Sequence, residues 1–266
     1  VKKDGRYFDR WIAFRCQQGA LYVRAIRDAA YKARPGCPMQ AWIAGYDYAG
    51  TIRSATIDIS KAAQFMTEPE VPHYTLPADY SDMWTADVGN GSVEMGIQTV
   101  NDSLGVVDKP IIFCSSVIYP LGSDTVWSDP QILDAQIQAI IAQGARGVSF
   151  WGGHLQGALD GRYLHKVVKW NNLLSGAGPF LWHGERHDET ARVSDPDTKL
   201  LRRMAWVHEG KCLLCLVNLG QEDREVKLEA EGYGTAGTDL MSGRSVDLSK
   251  PVAVPGLDGL FVVVGR

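Results

Sequence analysis

Apolar and polar positions along this chain fall into two rhythms. In the first, helical spacing alternates with short, nearly continuous apolar runs. Trp11, Phe14, Leu21, Ala25, Ile26 and Ala29 recur at intervals of three, four and seven, which predicts a long helix from Asp9 to about Arg34. Pro35-Gly36 stops it. MQAWIAG (Met39–Gly45) and IIFCSSV (Ile111–Val117) read as strands, and Val93, Ile97, Val100 and Leu104 give the intervening Gly91–Leu104 a helical spacing. SDPQILDAQIQAIIAQG carries a full set of helix signals. Ser128 or Asp129 can cap it, Pro130 suits its first turn, and Gly144 ends it. Its apolar stripe is Ile132, Leu133, Ile137, Ile140 and Ile141. The strand GVSFW follows, and then a helix over Tyr163–Leu174. Between Gly45 and Ile111 two readings compete. ISKAAQFMTEPEVPHY gives a short helix feeding a strand at about Gln64–Glu68, and DMWTADV (Asp82–Val88) gives a rival strand. The first is preferred, because the helix from Gly91 then connects two strands.

The second rhythm begins near Ala191. MAWVHEGKCLLCLVNLG reads as two strands joined at Glu209-Gly210, and REVKLEAEG, TDLMSGRSVDL and PVAVPGLDGLFVVVGR continue with short strands and glycine-rich turns. This predicts an antiparallel β-sandwich of roughly five or six strands.

Apolar strands alternating with amphipathic helices imply a parallel sheet with right-handed crossovers. The first part holds about four such units behind a leading helix. A complete (β/α)8 barrel takes about 250 residues, more than this part has. The expected fold is therefore α/β, a partial (β/α)8 barrel holding strands five to eight over residues 1–188, followed by a small antiparallel β-sandwich over residues 189–266.

Composition narrows the function classes. The chain has 266 residues, 45% of them hydrophobic, which is ordinary globular composition. Net charge is −4 and no basic block appears, so neither a nucleic acid nor an anionic membrane is an expected partner. Apolar runs such as Leu213–Val217 are too short to span a bilayer. The sequence opens on Val1 without a signal peptide and reads as a piece of something longer. Five scattered cysteines do not form a disulfide framework. Cys212 and Cys215 form a C-x-x-C inside a strand, where residues three apart face opposite sides, so two small packing residues are expected rather than a metal site. His183 and His187 have helical metal-ligand spacing, but Gly184 and the flanking acids read as an exposed connector. Ser115 lacks a nucleophile-elbow G-x-S-x-G. No metal or cofactor is expected.

Three segments carry a family resemblance. YFDRWIAFRCQQGALYVRAIRDAAYKARPGCPMQAWIAG resembles the part of family 42 β-galactosidases, and of related clan A glycoside hydrolases, in which an aromatic residue and "FR" open the helix before strand five. IDISKAAQFMTEPEVPHY is similar to the stretch carrying strand six. IQAIIAQGARGVSFWGGHLQGALDGRYLHKVV resembles the barrel's end, with a strand finishing in Trp. The "LVNL" and "DLMSG" strands resemble the small β domain that closes many such enzymes.

The resemblance implies a saccharide substrate, bound where the strands' carboxyl ends emerge. Trp151 would be the platform for a sugar ring, Gly152 and Gly153 would allow close approach, and His154 would donate to a hydroxyl. A core Trp followed by a surface turn is the plainer reading of the same residues. Tyr46, His73 and Tyr74 are further candidate substrate contacts. Glycoside hydrolysis usually uses two carboxyl groups. The resemblance implies one Glu on strand four, which would lie ahead of Val1, and one on strand seven, where this chain has Cys114, Ser115 and Ser116 instead. The remaining candidate acids are Asp47 in GYDY and Glu68 and Glu70 in TEPEVPHY, the latter framed by Pro69 and Pro72; Asp87 belongs to the rival strand. The expected function is that of a glycoside hydrolase fragment, with a non-catalytic carbohydrate-binding or structural relative as the alternative. Unpaired strands at both edges of a half barrel further imply an oligomer or a missing N-terminal half as partner.

Overall fold

The computed structural model describes residues 5–42, 58–72, 100–105, 111–116, 118–121, 124–127, 129–151, 161–194 and 200–266. Helix α1 spans Phe8–Ala33 and leads into strand β1 (Gln40–Trp42). Asp58 caps a short helix, Ile59–Ala62, by accepting from the Ser60 backbone N–H at 3.0 Å, and a 3-10 turn at Ala63–Phe65 extends it. Strand β2 therefore runs over Glu68–Pro72 and starts where the sequence reading ended it, because Gln64 and Phe65 continue the helical coil. Strand β3 (Ile112–Ser116) follows, then a hairpin of β4 (Ile118–Leu121) and β5 (Asp124–Trp127), for which the apolar pattern had given no strands of their own. Helix α2 (Pro130–Gln143), strand β6 (Gly147–Trp151) and helix α3 (Gly161–His183) complete this part.

Strands β1, β2, β3 and β6 form one parallel sheet in sequential order. Asp129 caps α2 by accepting from the N–H groups of Gln131 and Ile132. Gly144 ends it in the left-handed region, at φ 114°. Helix α3 continues well past the expected Leu174. Tyr163, Trp170, Leu173, Ala177, Phe180 and Leu181 keep one face buried to its last turn. Gly176 lets Leu240 approach: a Cβ there would meet Leu240 Cδ2 at 3.3 Å.

Strand β7 (Glu185–Arg186) and β8 (Ala191–Val193) precede the long hairpin of β9 (Leu201–His208) and β10 (Lys211–Asn218). Glu209 and Gly210 take φ of 48° and 73° there, as a two-residue primed turn requires. Five short strands follow, β11 (Arg224–Val226), β12 (Leu228–Ala230), β13 (Ala236–Asp239), β14 (Ser245–Asp247) and β15 (Val252–Val254), and then the longer β16 (Asp258–Gly265). A six-stranded sheet has the order β14-β13-β16-β10-β9-β7, and β11 pairs with β15 and β12 with β8 in separate ladders.

Both faces of that large sheet are buried, against different layers. Leu214, Val262 and Val264 pack with Val226, Leu228 and Val254 of the small ladders. Leu213, Val217, Phe261, Met204 and Trp206 pack with Phe113, Ile137, Ile140, Trp170 and Phe180 of the α/β part. One hydrophobic cluster thus contains residues from both parts of the chain. Cys212 belongs to the first layer and Cys215 to the second, as their spacing along β10 demands.

Helix α2 differs from its sequence pattern. Every residue from Ile132 to Gln143 is buried, including Asp134, Gln136, Gln138 and Gln143, because the six-stranded sheet covers the side away from the apolar stripe. Trp206 donates its indole N–H to the carbonyl of Ala142 at 2.8 Å, and Gln143 accepts from Arg186 at 2.8 Å. No helix among the described residues is long and apolar enough to cross a membrane.

Candidate functional site

The parallel sheet fixes the level of each candidate along its strands. Trp42, Glu70, Ile112 and Gly147 stand in one row, Pro72, Cys114 and Ser149 in the row two residues further, and Ser116 and Trp151 in the last. Residues in one row, and in alternate rows, share a face of the sheet. Phe113 and Val148 belong to the opposite face, which packs on the helices. Ile112 and Ser149, in alternating rows, therefore lie on the face turned away from that helical layer.

Trp151 closes β6 at the carboxyl end, in register with Ser116 of β3. Glu70 lies four residues lower, about 13 Å along the strands, and Glu68 lies lower still, opposite Gln40 at the start of β2. The two acids are thus on the strand and not at its carboxyl end, a consequence of the 3-10 turn that delays β2. The sheet brings Ser116 and Trp151 together and sets Glu68 and Glu70 apart from them. Tyr46, Asp47, His73, Tyr74 and His154 lie outside the described residues, as does the rival strand with Asp87.

Asp58, just ahead of β2, accepts from Ser60 and, at 2.7 Å, from Lys61 Nζ. Burial alone would raise its pKa, but the hydrogen bonds from Lys61 and Ser60 outweigh it and hold the carboxyl below its ordinary range. This capped turn fixes the entry into β2.

A second charged constellation escaped the sequence reading. Asp134 of α2 is fully buried and accepts from Lys166 (2.5 Å), Lys169 (2.9 Å), the indole N–H of Trp170 (2.8 Å) and Gln138 (2.8 Å). Lys169 also reaches Asp258 Oδ1 of β16 at 2.5 Å, and Gln138 donates to the same oxygen at 2.9 Å. Burial opposes the charge on Lys169, but Asp134 and Asp258 overcome it and raise its pKa. Burial would likewise raise Asp258, yet the Lys169 ammonium lowers it. With its carboxylate saturated by four donors, Asp134 acts as a bolt between α2, α3 and β16 rather than as an acid or base. The one signal available was Lys166, Lys169 and Trp170 on adjacent turns of α3, and nothing in the sequence names Asp134 as their partner.

His183 and His187 do not converge. His187 sits between Glu189 (3.0 Å) and Glu185 (3.4 Å), whose carboxylates raise its pKa. The ring of His183 lies 5.9 Å from that of His208. Among the described residues no group of three His, Cys, Asp or Glu side chains is placed to hold a metal. Burial pushes the Cys212 thiol up to about 11 and that of Cys215 well above its ordinary value, so neither is a thiolate at neutral pH.

No protein-family model matches the sequence, and no curated protein is similar to it at a significant level. Solved structures do share the fold. AmyP, crystallised with maltose, matches with a TM-score of 0.59 at 11% identity over 94% of this chain and 62% of its own. AbfB, a family 51 α-L-arabinofuranosidase from Bifidobacterium longum, matches at 0.52 and 11% over 94% and 64%. The maltogenic amylase of S. marinus matches at 0.50 and 10% over 92% and 33%. The chain spans from one third to just under two thirds of the length of these proteins. The architecture of this chain is one found within glycoside hydrolases.

Proposed function

We propose that the chain is a carbohydrate-handling sector of a clan A-like glycoside hydrolase, distantly similar to family 42. In this reading β1, β2, β3 and β6 are strands five to eight of a (β/α)8 barrel, and the division falls at 1–188 and 189–266, with the antiparallel part as a closing β-sandwich domain. The observation that carries it is the sequential parallel order of four strands with Trp151 and Ser116 side by side at the carboxyl end. Ligands of such sheets bind at that end.

Trp151 supplies the stacking platform for a sugar ring. Tyr46, His73, Tyr74 and His154, which follow the strands in sequence, supply polar and aromatic contacts from the connecting segments. Asp47, which follows β1 in sequence, is one candidate acid. Glu70 and Glu68, both on β2, are the other candidate acids. Hydrolysis needs an acid to protonate the leaving oxygen and a second carboxylate as nucleophile or base. The partner acid is proposed to come from further β/α units that pair with β1, an edge strand of the sheet among the described residues.

A second reading rests on one observation. Strand β3 ends in Cys114, Ser115 and Ser116, none of which can serve as a carboxylate. A non-catalytic carbohydrate-binding relative would need only the platform. Both readings require saccharide binding at Trp151. Calorimetric titration with maltose and xylobiose tests this, with Trp151→Ala expected to weaken that site at least tenfold. Unchanged stoichiometry and affinity in this variant would overturn the proposal.

A further inference from the structure

A cleft of about 570 Å³ lies between helix α3 and the β part, and no residue of the parallel sheet lines it. Its volume falls within the range of small-molecule sites. One wall is the stripe His165, Val168, Lys169 and Asn172, spaced at i, i+3, i+4 and i+7 on α3. The other is the β13–β14 turn with Ser242 and Arg244, together with Pro255 and Asp258.

The polar groups here are fixed but not spent. Asp239 holds the turn by accepting from the N–H groups of Met241 and Ser242 and from the Ser242 hydroxyl. Asp258 uses Oδ1 for Lys169, Gln138 and the Gly259 N–H. No donor among the described residues reaches its Oδ2. Among the described residues the Arg244 guanidinium has no carboxylate partner, and the His165 ring and the Asn172 amide have no hydrogen-bond partner. The cleft therefore offers a carboxylate oxygen, an amide and a guanidinium beside apolar surface from Val168 and Pro255.

Charge decides the ligand class. Lys169 and Arg244 are matched by Asp239 and Asp258, and the Lys169 charge is already committed to Asp134 and Asp258. A site for an anion would carry surplus positive charge. Mixed donors and acceptors on a neutral, partly apolar wall suit vicinal hydroxyls on a ring with an apolar face. We infer that this cleft is a second saccharide-binding site, formed jointly by α3 and the β part. The choice of saccharide over other neutral polyols rests on the functional reading above.

The test is titration of the full chain with maltose, beside Asn172→Ala, Arg244→Ala and Trp151→Ala. Asn172 and Arg244 are exposed, and unchanged melting temperatures will show that their variants fold. The inference predicts a site that each cleft variant weakens at least tenfold, that Trp151→Ala leaves intact, and that sodium sulfate does not compete for. Binding lost in Trp151→Ala but untouched by both cleft variants would overturn the inference and leave the functional reading standing. Sulfate binding in the cleft with displacement of maltose would also overturn it, as would the absence of any maltose binding.

Discussion

Asp134 shows what a single residue can contribute that a pattern conceals. On the sequence it is a polar position on the outer side of an amphipathic helix. In the fold its carboxylate anchors two lysines, an indole and an amide. Removing one partner of a buried charged group costs about 3–5 kcal/mol, because the others stay buried without compensation. Asp134→Ala is expected to lose that much in a urea unfolding curve, and a loss under 1 kcal/mol would contradict this account. The pH profile follows from the same cluster. The folded pKa of Asp258 is lowered from 3.8, so its contribution is present above about that pH and lost as acid titrates it. That of Lys169 is raised from 10.5, so its contribution is full below that pH and lost as pH rises through the raised value. Stability from this cluster should be level between about pH 4 and 10.5, and Lys169→Met should remove the alkaline step from a pH series of thermal melts. Cys212 and Cys215 were legible as packing residues from their spacing alone. Both are expected to resist a thiol reagent until the protein unfolds, and rapid labelling of the native chain at either would contradict their burial.

At the scale of elements, the caps and periodicities were readable. Asp129, Pro130 and Gly144 bound α2 where the sequence placed its ends. Strand β2 was shifted because a capped turn at Asp58 extends the coil by three residues, a local competition that apolar spacing cannot register. The β4–β5 hairpin was missed because β4 follows β3 without a clear break, the Gly-Ser pair before β5 being the overlooked signal. Helix α1 is apolar on two sides. Phe8, Ile12, Cys16 and Ala20 are buried, while Trp11, Phe14, Leu21, Tyr22 and Ile26 are exposed. A second, exposed apolar stripe on a helix marks a surface suited to association. The isolated chain is therefore expected to self-associate through this face. Phe14→Glu combined with Tyr22→Glu should shift its sedimentation toward monomer, and an unchanged distribution would show that association lies elsewhere.

At the scale of the whole molecule, the sheet order and the α/β-to-β succession were legible, and the shared core was not. The change of rhythm near Ala191 marks a change of architecture, yet Trp206 and Phe261 pack with Ile137 and Trp170 in one cluster. Sequence rhythm reports local geometry and cannot reveal which layers meet. The candidate site was legible only in part. Trp151 lies at a carboxyl end as expected, while Glu68 and Glu70 fall lower on β2. The proposed function is that of a sector of a glycoside hydrolase barrel, completed by an acid from further β/α units. It is tested most directly by hydrolysis of a panel of aryl glycosides, using the 266-residue chain and a longer protein in which further β/α units precede Val1. Turnover is expected in the longer protein, abolished there by Asp47→Asn or Glu70→Gln, and none is expected in the shorter. Turnover by the 266 residues alone, or none in the longer protein when it is folded, would contradict it.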